Sequence, residues 1–209
     1  VIVAVDGPAA SGKGTIARAL AAHYGLPHLD TGLLYRAVAL TLKRAGGDPE
    51  SEADAVAATD FPATLLTDPE LRTEATGALA SRVSAHGGVR AALKARQQAF
   101  AGQAGGAVLD GRDIGTVIVP DADAKLYVTA SPQVRADRRA REMEQHGLAA
   151  DREAMIAEIV ARDARDMGRD NAPLMQAADA DLLDTSDLTI AEAVQKAIAL
   201  VDARVERHR

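Results

Sequence analysis

The residues Gly7-Pro8-Ala9-Ala10-Ser11-Gly12-Lys13-Gly14-Thr15 form the stretch of this chain richest in usable chemistry. Closely spaced glycines let the backbone wrap an anion with several N–H groups turned inward. A helix that opens just behind them adds the partial positive charge of its N-terminus. Lys13 brings a full charge, long enough to reach the β- and γ-phosphates of a triphosphate. Gly14 stands where such loops usually carry Ser or Thr, so the hydroxyl is displaced to Thr15. Thr15 is therefore the candidate Mg²⁺ ligand, and Gly14 contributes backbone alone. The loop by itself leaves kinase, GTPase and ATPase chemistry open. A guanine-reading Asn-Lys-x-Asp is absent, and Asp110-Gly111-Arg112 stands where a motor-type ATPase would carry an acidic pair.

A second cluster, Asp30-Thr31-Gly32-Leu33-Leu34-Tyr35-Arg36, follows a short apolar segment. Arg36 falls in the first turns of a helix, near the carboxyl edge of a sheet, where open α/β proteins bind ligands. A guanidinium there suits a second phosphate, held bidentately; a plain surface arginine is the alternative. Asp30 either assists Mg²⁺ or water, or caps the helix. In Asp110-Gly111-Arg112-Asp113, Asp110 either holds Mg²⁺ through water or satisfies the phosphate loop. Arg112 and Asp113 offer a donor fork and an acceptor in one turn, and an acceptor carboxylate is what an exocyclic amino group requires.

The segment 132–169 carries Arg135, Arg138, Arg139, Arg141, Arg152, Arg162, Arg165 and Arg169 among many acids. Most of these arginines read as solvated i,i+4 pairs. A few read as a lid whose guanidiniums close over transferring phosphates. Arg162 and Asp166, four residues apart, share a helix face. His23, His28, His86, His146 and His208 show no ligand spacing, so no histidine is expected in the site.

The elements that must position these residues follow from apolar patterning. Val1–Val5 is a continuous apolar run, the signature of a strand buried on both faces. Further strands are expected at 28–30, 107–110, 125–129 and 181–185. Helices are expected at 15–24, 33–45, 89–100, once or twice within 132–169, and at 190–207. Strands alternating with helices give an α/β fold, a P-loop NTPase-type core with a five-stranded parallel sheet. The chain reads as one domain, 1–209, with an insert at 46–103 and an Arg-rich lid at 132–170. A hydrophobic fraction of 47% over 209 residues suffices for such a core. The absence of Cys excludes disulfides and Cys-ligated metals and fits a cytoplasmic setting. A net charge of −6 with 2% aromatics argues against a nucleic-acid partner. No apolar stretch is long enough for a membrane span, and no signal peptide is read before the first strand. With no heptads and no self-complementary apolar stripe, a monomer is expected.

Taken together, Gly7–Thr15, Asp30–Arg36, Asp110–Thr116 and Arg162–Leu174 resemble the bacterial cytidylate kinases, within the nucleoside monophosphate kinase group. The second and third motifs are the more specific ones, since adenylate kinases typically show Asp-Gly-Phe-Pro-Arg at the equivalent strand end. The resemblance runs nearly end to end. It implies transfer of the ATP γ-phosphoryl group to CMP or dCMP with Mg²⁺, residues 7–15 binding ATP. It implies Thr31 and Arg36 at the CMP phosphate, and Ser81, Arg90 and Asp113 at cytosine. Arg112 joins this acceptor side. Arg162 and Asp166 would reach the acceptor's ribose, and Arg169 its phosphate or the transferring group, with Arg135 and Arg139 as further lid arginines. Lys13, Arg36, Arg162 and Arg169 are then the catalytic set, and Thr15 and Asp110 the metal candidates. With no aromatic clamp read near the base, recognition is expected to be polar. The chain departs from the family pattern at Leu33 and at Gly87-Gly88, and the latter bears on where Arg90 sits. A kinase for UMP or another small acceptor, and a non-catalytic nucleotide switch, are the other readings.

Overall fold

The computed structural model describes residues 1–206. Five strands, β1 (Ile2–Asp6), β2 (His28–Asp30), β3 (Ala107–Gly111), β4 (Ala124–Thr129) and β5 (Asp181–Asp184), form one parallel sheet in the order β2-β3-β1-β4-β5. The helices are α1 (Lys13–Tyr24), α2 (Thr31–Ala45), α3 (Glu52–Ala57), α4 (Glu74–Val83), α5 (Gly87–Ala101), α6 (Pro132–Gln145), α7 (Arg152–Met167) and α8 (Ile190–Val205). The expected α/β architecture is the observed one. The expected final helix reached Arg207, which with His208 lies outside the described residues.

The central strand explains itself. Val3, Ala4 and Val5 are fully buried because β1 has a strand on each side and helices on both faces. One face, with Val3, Val5, Val108, Leu126 and Val128, packs on Ile16 and Leu20 of α1 and on Ala197 and Val201 of α8. The other face, with Ala4, Ala107 and Leu109, packs on Ile114, Ile118 and Ala101. A separate apolar cluster joins α2 to the 46–103 segment through Leu34, Val38, Leu42, Leu71, Val83 and Leu93. Helices α6 and α7 share a small cluster of their own, Ala136, Ala140, Met155 and Ile159.

The starts of α1, α2 and α5 lie two residues earlier than periodicity suggests. The first turn of a helix needs no apolar residue, only N–H groups that find other partners. Gly12, in the left-handed region at φ 91°, precedes Lys13 and lets α1 begin inside the phosphate loop. Asp30 precedes α2 but its side chain makes no capping hydrogen bond, so that reading of Asp30 is set aside. Gly87 and Gly88 open α5 instead of lying before it. The Gly88 N–H donates to Glu52 Oε1 at 2.7 Å, which ties the start of α5, and with it Arg90, to α3.

Parallel strands send their carboxyl ends to one edge, where Asp6, Asp30, Asp110 and Asp184 gather polar atoms. Asp6 is buried and accepts the N–H groups of Ile114 (2.8 Å) and Gly115 (2.8 Å), which holds the turn after Asp110–Asp113 against β1. Burial outweighs those two donors and pushes the Asp6 carboxyl up to about 7. The folded chain therefore keeps a proton that the unfolded chain has released above its ordinary carboxylate value. The Asp6 contribution to stability falls as pH rises from about 4 to about 7 and is flat above. In urea titrations across that range, the stability of wild type minus that of Asp6→Asn should decline up to neutrality; a constant difference would contradict this.

Candidate active site

The phosphate loop joins β1 to α1. Gly7 is there because no side chain fits: a Cβ would sit 1.9 Å from the Val128 carbonyl oxygen. Pro8, Ala9, Ala10, Ser11 and Gly12 complete the curve, with Ala10 in the left-handed region at φ 58°. Other elements hold it in place. Arg135, on α6, donates to Ala9 O (3.1 Å), and Thr185, after β5, donates to Ser11 O (3.0 Å). The Ser11 hydroxyl is buried without a partner. Lys13 Nζ lies 3.9 Å from Asp110 Oδ2. Burial, aided by Arg112, lowers the Lys13 ammonium to about 8. Thr15 is exposed and accepts a long hydrogen bond from Arg18 (3.4 Å). Gly14, between them, leaves ordinary contact room toward Asp110 and Arg18.

Beside the loop lies a cleft, open at its mouth. Thr31, Arg36, Ser81, Arg90, Arg112, Asp113, Arg162, Asp166 and Arg169, which are separated by up to 138 positions in sequence, all line it. Thr31 Oγ1 donates to the Asp110 carbonyl (2.8 Å), locking the start of α2 to the end of β3. Arg36 donates to Leu71 O (2.7 Å) and Thr73 O (3.0 Å), and its guanidinium lies against Gly77 of α4, where a Cβ would come within 2.6 Å of Nη2. Arg90 pairs with Asp113 at 2.5 Å and donates to Ser84 O (3.2 Å). Arg112 donates to Asp166 at 2.9 Å. Arg169 reaches Ser84 Oγ and lies 3.8 Å from Asp166.

The electrostatics of the cleft are one-sided, five guanidiniums against two carboxylates. Burial, with Arg112 adding repulsion, lowers Arg162 to about 10, and burial lowers Arg36 and Arg169 as well. Burial disfavours the Asp166 carboxylate, but Arg112, Arg169 and Arg162 reverse that and hold it below its ordinary value. Ser81 Oγ, Arg90 Nε, Arg162 Nε and Arg169 Nε are buried without a hydrogen-bond partner. Unmet buried donors on this scale are rare in a finished fold. All four belong to residues that line the one cleft.

Three features were missed in the sequence. Tyr35 lines the cleft, with Arg90 5.3 Å from its ring centroid, so the expectation of no aromatic beside the base pocket is corrected. Its signal was its place one turn after Thr31. Ser84 gathers Arg90 and Arg169, and its signal was the Ser81-x-x-Ser84 spacing. His28 sits against Asp110, contrary to the expectation that no histidine belongs to the site. Arg135 is not free to meet a transferring group: it is 2% exposed and bound to Ala9, Ala130 and Asp163. Arg139 pairs with Glu74 of α4 and Glu158 of α7.

A lone phosphate loop serves many kinds of NTPase. An arginine-rich cleft on the same sheet edge has a use when a second anion must be brought to the first. Fold and site together define the class as P-loop phosphotransferases of the nucleoside monophosphate kinase type. The likeness to known proteins is narrower. The family profile described as cytidylate kinase matches residues 3–203, and the chain belongs to that family. It is 58% identical to the cytidylate kinase of Xanthobacter autotrophicus over 98% of both chains. It is 56% identical to that of a Bradyrhizobium species over the whole of both. Among solved structures, an uncharacterized protein from Eubacterium ventriosum shares the fold at TM-score 0.56 and 14% identity, over 97% of this chain and 99% of that one.

The lowered Lys13 value has a measurable consequence. A polyphosphate brought against Lys13 favours its charged form, so binding above about pH 8 takes up a proton. Calorimetric titration with ATP in buffers of different ionisation enthalpy should show that uptake at pH 8.5 and little of it at pH 6.5. Lys13→Met should remove it. Equal uptake in the variant would assign the proton elsewhere.

Proposed function

We propose that this chain transfers the γ-phosphoryl group of ATP to CMP or dCMP, giving CDP or dCDP and ADP. The observation that carries the reading is the cleft beside the phosphate loop, where buried, unpartnered donors of Ser81, Arg90, Arg162 and Arg169 converge under an excess of positive charge. Names shared with the relatives supply the identity of the acceptor base.

In this reading residues 7–15 cradle ATP, with Lys13 on its β- and γ-phosphates. Arg36 and Arg169 hold the acceptor phosphate, with Thr31 at its edge, so that one of its oxygens faces the γ-phosphorus in line. The bond from γ-phosphorus to the bridging oxygen breaks as the bond to the acceptor oxygen forms, and ADP departs. Arg162, whose guanidinium has no ion pair among the described residues, and Asp166 reach the ribose, with Arg112 on the same acceptor side. Ser81, Arg90 and Asp113 read the cytosine edge beside Tyr35. Asp113 is the acceptor that the 4-amino group needs. Uracil offers a carbonyl there instead and meets repulsion.

Mg²⁺ prefers one or two protein groups plus substrate phosphates, and the exposed Thr15 hydroxyl and the Asp110 carboxylate beside Lys13 are oxygen donors of that kind. Thr15 and, through water, Asp110 are the residues that would hold it, and bound there it neutralises β- and γ-phosphate charge. Segment 46–103 serves as the acceptor-binding insert and 132–170 as the lid of a single domain, the lid excluding water that would otherwise hydrolyse ATP. Among the described residues no helix is long and apolar enough to cross a membrane. The net charge of −6 supports action on nucleotides and not on nucleic acid, the absence of Cys fits a cytoplasmic setting, and the lack of heptads supports a monomer.

The test is ADP release from ATP and Mg²⁺ with CMP, dCMP, UMP, AMP, GMP or no acceptor. Turnover should be high with CMP and dCMP and low with the rest; acceptor-independent hydrolysis or preference for another acceptor would overturn the assignment. Arg36→Ala should lower kcat/KM for CMP by roughly 100-fold or more while leaving ATP affinity near wild type. Asp113→Asn should narrow the CMP-to-UMP ratio by about tenfold. An unchanged ratio would remove Asp113 from base recognition.

A further inference from the structure

Among the described residues, Asp110 is the one acidic side chain within 4 Å of Lys13 Nζ. The carboxylate is 3% exposed. Oδ1 accepts from His28 Nε2 at 2.7 Å, and Oδ2 faces Lys13 at 3.9 Å, too far for a direct hydrogen bond. Among the described residues, His28 supplies the only hydrogen bond to this carboxylate. The contact is built into the sheet. On β2 the side chains of His28 and Asp30 alternate onto the face shared with Val108 and Asp110, their partners on β3. The imidazole reaches along that face to the strand end. Its other edge borders a second cleft, lined by Arg18, Leu29, Asp30, Leu33, Leu66 and Arg72. The side chain remains 17% exposed, so packing alone does not fix the ring.

We infer that His28 is a positioning residue for the phosphate loop: its Nε2–H holds Asp110 Oδ1, which keeps Oδ2 turned toward Lys13 and the ammonium turned into the loop. The argument is geometric. Without that donor a buried carboxylate with one unmet oxygen rotates or draws in water, and Lys13 loses the anchor that sets its reach. The role is that of a hydrogen-bond donor, and it asks for no charge on the imidazole. It rests on the reading of residues 7–15 as the ATP site.

The experiment measures ATP affinity by calorimetry, and KM for ATP and CMP, in the full chain. His28→Ala should weaken ATP binding by roughly tenfold, the size of effect seen when an orienting partner is removed, with KM for CMP little changed. His28→Gln, whose amide N–H₂ extends to a similar position, should restore most of the loss. In an Asp110→Asn background, His28→Ala should add nothing further. Urea midpoints accompany each variant. If the alanine variant does not fold, His28→Leu fills the space without a donor and should show the same loss. ATP affinity equal to wild type in His28→Ala or His28→Leu would overturn the inference. So would a glutamine variant as weak as alanine, or effects that multiply in the double variant. Wild-type turnover with CMP is read separately, so failure of the proposed reaction is distinguishable from failure of the role given to His28.

Discussion

Five guanidiniums sharing one half-enclosed cleft with two carboxylates is the constraint on which the rest of this structure depends. Like charges so placed repel, and burial removes the water that would screen them. The lowered values of Arg36, Arg162 and Arg169 record that tension. It persists because the arginines come from separate segments, each held by its own packing: α2, α5, the turn after β3, α7 and the residues just beyond it. No single segment can relax to relieve the repulsion. A bound anion would relieve it, even though the whole chain carries a charge of −6. The acidic remainder also disfavours long polyanions, while the cleft focuses attraction on small ones.

The apolar core is divided in a way that suits this task. Under the phosphate loop, β1 is sealed between two helical layers and the loop has little freedom. The α6–α7 pair has only a small cluster of its own and meets the core through polar ties. Arg135 joins Ala9 and Asp163, Arg138 joins Thr185, and Arg139 joins Glu74 and Glu158. The buried Arg135–Asp163 tie is costly to break, whereas the partly exposed Arg139–Glu158 pair exchanges with water at small net cost.

Much of the fold could be read in the chain. The apolar runs at β1, β3 and β4 announce strands covered on both faces, and the order of strands and helices leaves little choice of architecture. Helix starts were less legible, because Gly12 and Gly87-Gly88 are helix entries that composition alone scores as breaks. In the site, the motif residues were legible because charge beside glycine at a strand end has few other uses. His28 was not, since one histidine in a three-residue strand carries no spacing signal. Tyr35 stands inside the Asp30–Arg36 motif, marked only by its place one turn after Thr31, and Arg135 counts by resemblance among the lid arginines although it is buried in a web of carbonyls and a carboxylate.

By itself, then, the sequence determined the phosphate-loop motif and the parallel α/β core. These are local or periodic properties, written within a few positions of each other, and backbone geometry and side-chain chemistry suffice to read them. Only the tertiary structure decided which arginines stay unpaired, which of them are anchors, and that His28 meets Asp110 across 82 positions. Pairing is a competition among all nearby charges for the same few acceptors. Its outcome depends on distances that exist only once β2, β3, α1 and α7 have been brought to one edge of the sheet.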